Sequence, residues 1–286
     1  MDRLKNQQKY LLLKPIYSSS WKESKVKRLL EKIDGIIIKT KDYGETHKLV
    51  TIFSNKIGKF NALAKGAKKP KSRMAAVTQP FINARFFVYI GSGLSTIQQG
   101  EVLDSFRIIR EDIFKTAYVS YMAELTDKLL DAKENDPFLY EQFYQTLLWI
   151  NNQDEVDIPV IMYELKLYKK AGFAPVLHQC SRCGNQEGLS KFSIREGGML
   201  CQQCAYFDPE AIHISEKLSR LLYLFSEVDL KRIGNIRMKK ENVQLIRKIL
   251  YEYYDQYGGF WIKSRKVLDQ LDFFIPNVKN GNSYNE

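Results

Sequence analysis

Four cysteines arranged in two short pairs are the feature of this chain that most directly predicts a chemical site. Cys180 and Cys183 make one C-x2-C pair, and Cys201 and Cys204 make a second pair after 17 intervening residues. Each pair can turn two thiolates towards one point, and four thiolates complete the tetrahedral shell of Zn²⁺. Because protein ligands would fill all four positions, no place is left for a reactive water. We therefore expect one structural Zn²⁺ per chain.

Two other roles for these thiols remain open. A pair of them could act as a redox couple, or His178, two residues before Cys180, could replace one cysteine as a metal ligand.

No window of the sequence reaches the roughly 18 to 20 apolar residues of a membrane span, and no secretion signal is recognisable. We therefore expect a cytoplasmic protein, in which reduced or metal-bound thiols are favoured over disulfides.

The second feature is a stretch of positive charge from residue 46 to residue 100. It contains nine Lys or Arg and no Asp or Glu, although the whole chain has 33 acidic residues among 286. Apolar residues alternate with the cations as they do in strands, so the charge is expected on a sheet and a loop. Gly66 and Pro70 interrupt its densest part, which suggests a loop whose backbone can approach phosphates. The predicted nucleic-acid contacts are Lys59, Lys65, Lys68, Lys69, Lys71, Arg73, Arg85, Phe87 and Tyr89.

The alternative for this stretch is a solvated surface whose charge only keeps the protein soluble. The whole chain has a formal charge of +11 and a pI near 9.3, which favours a polyanionic partner. No phosphate-binding loop of the GxxxxGK[ST] type is present, and the basic stretch holds no paired carboxylates for catalytic metals. We therefore expect a binding protein and not an enzyme.

The elements that must position these residues fall into two domains. Short β-branched runs predict five strands within residues 33–110, and five strands without room for crossover helices indicate an all-β barrel of the OB-fold type. In the fourth strand, alternate residues from Ile82 to Ile90 would face the core, and Arg85, Phe87 and Tyr89 would face outward. Helical periodicity predicts a mainly α-helical domain over residues 111–272, with the zinc module inserted at residues 178–206.

The two ends of the chain lack such periodic patterns. Residues 1–32 carry nine basic and three acidic residues, and we expect a poorly ordered basic extension or an arm that helps to grip nucleic acid. Residues 273–286 are rich in Asn and contain Gly and Pro, which predicts a mobile tail. The sequence thus predicts a multi-domain protein, with two folded domains between two terminal segments.

Several motifs, taken in their order and spacing, resemble the bacterial RecO family. In the N-terminal half they are Gly35-Ile-Ile-Ile-Lys39, Asp42-Tyr-Gly-Glu45, Leu49-Val-Thr51, Gly58-Lys59, Ala64-Lys-Gly-Ala-Lys-Lys69, Ser72-Arg73, Gln79-Pro-Phe81 and Gln99-Gly-Glu101. In the C-terminal half they are the two cysteine pairs, Tyr257-Gly-Gly-Phe260 and Lys263-Ser264. The resemblance covers residues 33–271.

This resemblance implies a recombination mediator in DNA repair. Such a protein binds single-stranded and double-stranded DNA, anneals complementary strands, and works with RecR to load the recombinase onto DNA coated by single-strand-binding protein. The resemblance also implies contact with the acidic C-terminal tail of single-strand-binding protein and association with the nucleoid. The basic loop residues carry over as DNA contacts and the four cysteines as zinc ligands. Some members of the family lack the cysteines, so zinc is expected to support the fold.

The N-terminal extension is the one departure from the family pattern, because members usually begin only a few residues before the position of Gly35. One hypothesis is that translation starts at the codon for Leu29, and the intact mass of the native protein would test it.

Other functions also remain open. These are an RNA-binding or transcription-associated zinc protein, a zinc enzyme acting on nucleic acid, and a peripheral membrane protein.

Overall fold

The protein folds as a β-barrel joined to a helical domain that carries a small three-stranded sheet. The structure, a computed structural model, describes residues 29–234 and 236–279, with side chains described as far as residue 271. The strands are β1 Leu29–Tyr43, β2 His47–Ser54, β3 Gly58–Ala64, β4 Asn83–Ile90, β5 Ser95–Asp104, β6 Leu189–Ser193, β7 Gly198–Cys201 and β8 Ile212–His213. The helices are α1 Arg73–Val77, α2 Arg107–Glu111, α3 Ile113–Leu129, α4 Pro137–Asn152, α5 Asp157–Lys170, α6 Glu216–Glu227, α7 Lys240–Tyr257 and α8 Lys263–Lys279.

The five N-terminal strands close into a barrel with the order β1-β2-β3-β5-β4. All neighbouring pairs are antiparallel except β3 and β5, which run parallel. In β4, Ala84, Phe86 and Val88 are fully buried in the barrel core, as the alternating pattern predicts. The predicted all-β barrel of the OB-fold type, followed by a helical domain, is confirmed.

The first strand begins earlier than the sequence pattern suggested. β1 starts at Leu29, and residues 29–36 pair with β4 from Ile90 back to Asn83. Residues 29–32, assigned above to the N-terminal extension, are therefore part of the barrel. Leu29 and Leu30 are exposed, and a strand whose apolar residues face solvent lacks the alternation that identifies strands. The rest of the extension, residues 1–28, lies outside the described residues.

The helical domain begins with helices whose N-termini are capped by carboxylates. The Asp112 carboxylate accepts hydrogen bonds from the backbone N–H groups of Phe114 and Lys115 at the start of α3, and Asp136 accepts from Leu139 N at 2.8 Å at the start of α4. Such caps satisfy donors that have no partner within the helix. At the other end, α8 continues to Lys279. Residues 273–279 are thus helical and not part of a mobile tail, and residues 280–286 lie outside the described residues.

The barrel and the helices share one apolar core at their junction. Phe53 of β2 packs edge to face against Tyr140 and Phe143 of α4, with ring centroids 5.6 and 5.8 Å apart. Gly58 begins β3 at a φ of +78°, and a Cβ atom there would lie 1.9 Å from the carbonyl oxygen of Glu134. Only glycine tolerates both the left-handed backbone and this close approach. One end of the outer β2–β3 surface is therefore covered by the helical domain.

A partly buried ion pair adds to this junction. Lys59 of β3 donates to the backbone oxygen of Asp127 near the end of α3, and its Nζ lies 3.6 Å from the Asp127 carboxylate. Burial is the main influence on Lys59 and lowers its pKa, while the attraction of Asp127 opposes this shift. Lys39 of β1 binds the same carboxylate at 2.7 Å but remains well exposed. Asp127 thus joins two strands of the barrel to α3.

We predict that Asp127→Ala lowers the free energy of unfolding by about 2 kcal/mol, because it leaves the half-buried Lys59 ammonium without its carboxylate. Lys39→Met is the matched control, since its side chain is 59% exposed and exposed ion pairs contribute less than about 1 kcal/mol. Urea unfolding of the two variants measures both effects. Equal losses in the two variants would contradict the structural role assigned to Lys59.

Candidate nucleic-acid interface and metal centre

The loop from Lys65 to Arg73 connects β3 to α1 and is tied to the β1–β2 turn. Lys68 N donates to the Thr46 carbonyl oxygen at 2.9 Å, and Gly66 N donates to His47 Nδ1 at 3.0 Å. The Lys68 ammonium also binds the Asp42 carboxylate at 2.7 Å, which lowers the pKa of Asp42. Sequence reasoning did not identify Thr46 or His47 as supports of the basic loop, since no local motif marks such contacts.

The loop has a defined internal conformation of successive turns. Lys69 N donates to the Gly66 carbonyl oxygen at 3.1 Å, and Ser72 N donates to that of Lys69 at 3.2 Å. Gly66 has a φ of +68°, in the region that glycine adopts without strain. These bonds satisfy backbone groups of the loop while its side chains extend into solvent. The backbone that carries the cations is therefore ordered before any ligand binds.

The acid-free stretch does not form an acid-free surface, because its neighbours in the barrel bring carboxylates to it. Arg85 of β4 forms two hydrogen bonds with Asp34 of β1, at 2.7 and 2.9 Å, and Lys56 pairs with Glu31. Together with the pairs Lys59–Asp127 and Lys68–Asp42, four of the nine cations in the stretch have a carboxylate partner. The charge available to a ligand is thus smaller than the sequence indicates.

The four remaining cations of the loop form the strongest candidate for a phosphate-binding surface. All four side chains are exposed, and none forms an ion pair with any residue that the structure describes. They are Lys65, Lys69, Lys71 and Arg73. Because no base-stacking ring lies within the loop itself, its chemistry suits contacts with the phosphate backbone, which carry no sequence information.

Three predicted site residues, Arg85, Phe87 and Tyr89, lie on β4, and both rings are half-buried. Tyr89 pairs with Thr96 of β5, and Thr96 pairs with Leu63 of β3, two residues before the basic loop begins. Two strand spacings are about 10 Å, so Tyr89 and its neighbour Phe87 lie on the side of the barrel from which the loop leaves. Arg85 lies farther along β4, where it is paired with Asp34.

The four cysteines, which are separated in sequence, meet at one point beside β7. Their four sulfur atoms all lie within 4.8 Å of one another, and the Cys183 and Cys201 sulfurs are 3.7 Å apart. Tight turns shape both pairs, since Gly184 N donates to the Cys180 carbonyl oxygen at 2.9 Å and Cys204 N donates to that of Cys201 at 3.0 Å. This donor set fits a tetrahedral ion that prefers sulfur ligands.

Electrostatics also favour a cation at this point. At Cys180, burial opposes ionisation, but backbone hydrogen bonds from Cys201, Cys183 and Arg182 outweigh it and lower the pKa to about 6. Burial and the neighbouring sulfurs raise the pKa of Cys204 to about 12. The thiols cannot all ionise side by side without a positive charge between them. His178, the alternative ligand, is not a member of the cluster found among the described residues, and its ring faces Tyr223 instead.

The cysteine module is built into the core of the helical domain. Phe192 of β6 and Met199 of β7 are fully buried, and the Phe192 ring packs edge to face on Tyr253 of α7 at 5.9 Å. Ser181 N, inside the first cysteine pair, donates to the Met199 carbonyl oxygen at 2.8 Å. A metal held by the four thiols would therefore fix the position of strands that help to form the core. No open coordination position is needed for this role.

Comparisons with known proteins give a consistent assignment. Residues 29–106 match the family described as "Recombination protein O N terminal", and residues 110–266 match "Recombination protein O C terminal". A protein of Bacillus cytotoxicus named "DNA repair protein RecO" is 45% identical over 246 residues, which cover 86% of this chain and 99% of that protein. Proteins of the same name from Bacillus mycoides and Bacillus anthracis are 44% identical with the same coverage.

The two family matches correspond closely to the two structural domains. The first begins where β1 begins and ends after β5, and the second begins within α2 and ends in α8. Within the described residues, no helix has the length and apolar character needed to cross a membrane. The chain belongs to the RecO family of DNA repair proteins.

Proposed function

We propose that this protein is a recombination mediator that binds single-stranded and double-stranded DNA and anneals complementary strands. In this role it acts with RecR to help load the recombinase onto DNA coated by single-strand-binding protein, whose acidic C-terminal tail is a further partner. It works in the cytoplasm, at the nucleoid, and holds one structural Zn²⁺ through Cys180, Cys183, Cys201 and Cys204. It carries out no chemical reaction of its own.

The single observation that carries this proposal is the set of four exposed loop cations without ion-pair partners among the described residues. Two complementary strands repel each other through their phosphates, and cations that contact both lower this repulsion. Contacts with phosphates leave the base edges free to pair. The same contacts serve single strands and duplexes, because both present phosphates. Annealing by this route requires no catalytic group, which agrees with a binding surface that contains no paired carboxylates.

A strand-annealing assay tests the proposal directly. Two complementary oligonucleotides coated with single-strand-binding protein are mixed with the full chain, with and without RecR, and duplex formation is followed by fluorescence transfer. We expect the chain to accelerate annealing of the coated strands by at least about tenfold at low salt, with the effect falling as salt screens the phosphates. Recombinase loading, followed by its DNA-dependent ATP hydrolysis on coated DNA, should require RecR as well.

The control is a competition between DNA and RNA oligonucleotides of the same sequence. Preferential binding of RNA, together with no acceleration of DNA annealing, would contradict the mediator function and favour an RNA-associated role. The Lys217→Glu variant, altered at an exposed position on α6, serves as a charge control in the same assay. It should anneal strands at the rate of the unaltered chain.

A further inference from the structure

Two large aromatic side chains that are consecutive in the sequence are exposed in the connection between α7 and α8. The Phe260 side chain is 53% exposed and that of Trp261 is 70% exposed. Burial of a Trp or Phe side chain normally stabilises a folded protein by several kcal/mol. Consecutive exposed rings of this size, on a chain with a large core, are a surface that a ligand could cover.

The backbone that carries the two rings is fixed by the residues that follow them. Ile262 is buried and anchors the connection in the core. The Glu124 carboxylate of α3 accepts hydrogen bonds from Lys263 N at 3.1 Å and from Ser264 N at 2.8 Å, and also from the Ser264 hydroxyl at 2.6 Å. This carboxylate therefore caps the first turn of α8. A platform fixed in this way loses little conformational entropy when a ligand binds.

The charges around the rings are those that a polyanion would meet favourably. The Lys128 ammonium lies 5.9 Å from the centre of the Phe260 ring, and the Lys263 side chain is exposed beside Trp261. The nearest carboxylates on α3 are already engaged, because Glu124 caps α8 and Asp127 binds Lys39 and Lys59. Glu124 keeps its negative charge, because its hydrogen-bond donors are neutral groups, and it attracts Lys128. The two lysines thus leave one positive charge that Glu124 does not cancel.

The aromatic pair also lies close to the barrel. Asp127, which holds Lys39 of β1 and Lys59 of β3, directly precedes Lys128, which contacts Phe260. Adjacent Cα atoms are about 3.8 Å apart, so the rings adjoin the junction between the two domains. A flexible single strand that contacts the barrel could continue onto this part of the helical domain.

We propose that Phe260 and Trp261 form a base-stacking platform for single-stranded DNA, with Lys128 and Lys263 contacting the flanking phosphates. The inference rests on the proposed function and adds to it a second contact, which distinguishes single strands from duplexes. Bases in a single strand can unstack and lie against aromatic rings, without sequence preference. Paired bases in a duplex present only edges and phosphates to the surface. A purely apolar partner would not balance the remaining positive charge, and this favours the nucleic acid.

Tryptophan fluorescence tests the platform in the full chain. The chain has three tryptophans, so Trp21→Phe with Trp149→Phe leaves Trp261 as the sole indole. Addition of an oligothymidylate of about 30 nucleotides should quench its emission along the same curve as the binding measured by anisotropy, because stacking places a base on the indole. A duplex of equal length should bind through the basic loop with little quenching. Absence of quenching by a bound single strand would overturn the proposal.

Affinity measurements give the second readout. Trp261→Leu, which keeps an apolar side chain without the π-system, should weaken single-strand binding about tenfold and leave duplex binding within about twofold. Tyr206→Leu is the matched control, since Tyr206 is 71% exposed on the cysteine module, and it should change neither affinity. An equal loss on single strands and duplexes would also refute the platform. If the unaltered chain bound no DNA, the proposed function itself would fail, and this outcome is separate from binding without quenching.

Discussion

Replacing Lys69, Lys71 and Arg73 together with Glu is expected to weaken binding of single-stranded DNA by about 10³-fold at low salt. Each substitution removes an attraction to phosphate and adds a repulsion, and a unit charge pair at contact distance in water is worth about 1 kcal/mol. The three side chains are exposed, so the change should leave the free energy of unfolding almost unaltered. Fluorescence anisotropy with a labelled oligonucleotide measures the affinity, and thermal unfolding checks the fold.

The salt dependence of binding provides an independent measurement of the same surface. If Lys65, Lys69, Lys71 and Arg73 each neutralise one phosphate, these four contacts should contribute about −3 to the slope of log K against log salt, using about −0.7 per contact on single strands. The triple variant retains only one of these cations, so its slope should be less steep by about 2. A slope unchanged by the three substitutions would place the phosphate contacts elsewhere on the protein.

A matched variant separates the local surface from the overall charge. Lys217→Glu with Lys240→Glu and Lys248→Glu alters the net charge by the same amount at three exposed positions on α6 and α7. With both triple variants compared at about 0.1 M salt, binding of this one should fall by less than about threefold, because charges farther from the DNA than the Debye length of about 10 Å are then screened. If both triple variants lost affinity equally, the net charge of the chain would explain binding and the loop would have no special role.

The sequence predicted the barrel and the cysteine cluster because both depend on local patterns. Alternating apolar residues identified the buried face of β4, where Ala84, Phe86 and Val88 have no exposed surface. The two C-x2-C pairs each form a tight turn from neighbouring residues, so their convergence follows once the strand β7 brings them together. Features of this kind are encoded over a few residues and can be recognised without the tertiary fold.

The sequence could not predict which cations are free, because their partners are distant along the chain. Lys59 meets Asp127, 68 residues away, and Arg85 meets Asp34, 51 residues away. These contacts depend on the pairing of β1 with β4 and on the docking of α3 against the barrel. A stretch without acidic residues therefore overestimates the charge that a ligand meets.

The sequence also could not predict that the rings of Phe260 and Trp261 are exposed. In the sequence they follow Gly258-Gly259 and read as a turn between apolar helices, where aromatic residues are usually buried. In the structure they are exposed just before α8, where Lys263 N and Ser264 N donate hydrogen bonds to the Glu124 carboxylate of α3. Only the tertiary structure reveals this arrangement.

Removal of the metal from the four cysteines is expected to produce the largest loss of stability. Structural Zn²⁺ contributes an apparent 10 to 16 kcal/mol, roughly, in small zinc-binding peptides. Less is expected here, because Phe192 and Met199 also anchor the module in the core. We predict that Cys201→Ser lowers the free energy of unfolding by about 5 kcal/mol, which corresponds to a fall in Tm of more than about 10 °C for a domain of this size.

Metal content and stability must change together for this prediction to hold. In the unaltered chain, a mercurial thiol reagent should release one Zn²⁺ for four thiols titrated, as a closed tetrahedral site requires. His178→Ala is the matched control for the alternative ligand, and it should retain the metal and the Tm, because its ring contacts Tyr223 and not the sulfur cluster. Loss of Zn²⁺ from the Cys201→Ser variant without a fall in Tm would contradict a structural role.

The same variant should separate the metal from the proposed DNA-binding surface. The barrel has an apolar core of its own, formed by residues such as Ile37, Phe60 and Phe86, and the basic loop is tied to the β1–β2 turn of that barrel. At a temperature well below its Tm, Cys201→Ser should therefore bind single-stranded DNA within about threefold of the unaltered chain, since the phosphate contacts remain in place. A loss of affinity as large as that of the triple loop variant would instead place the cysteine module in direct contact with DNA.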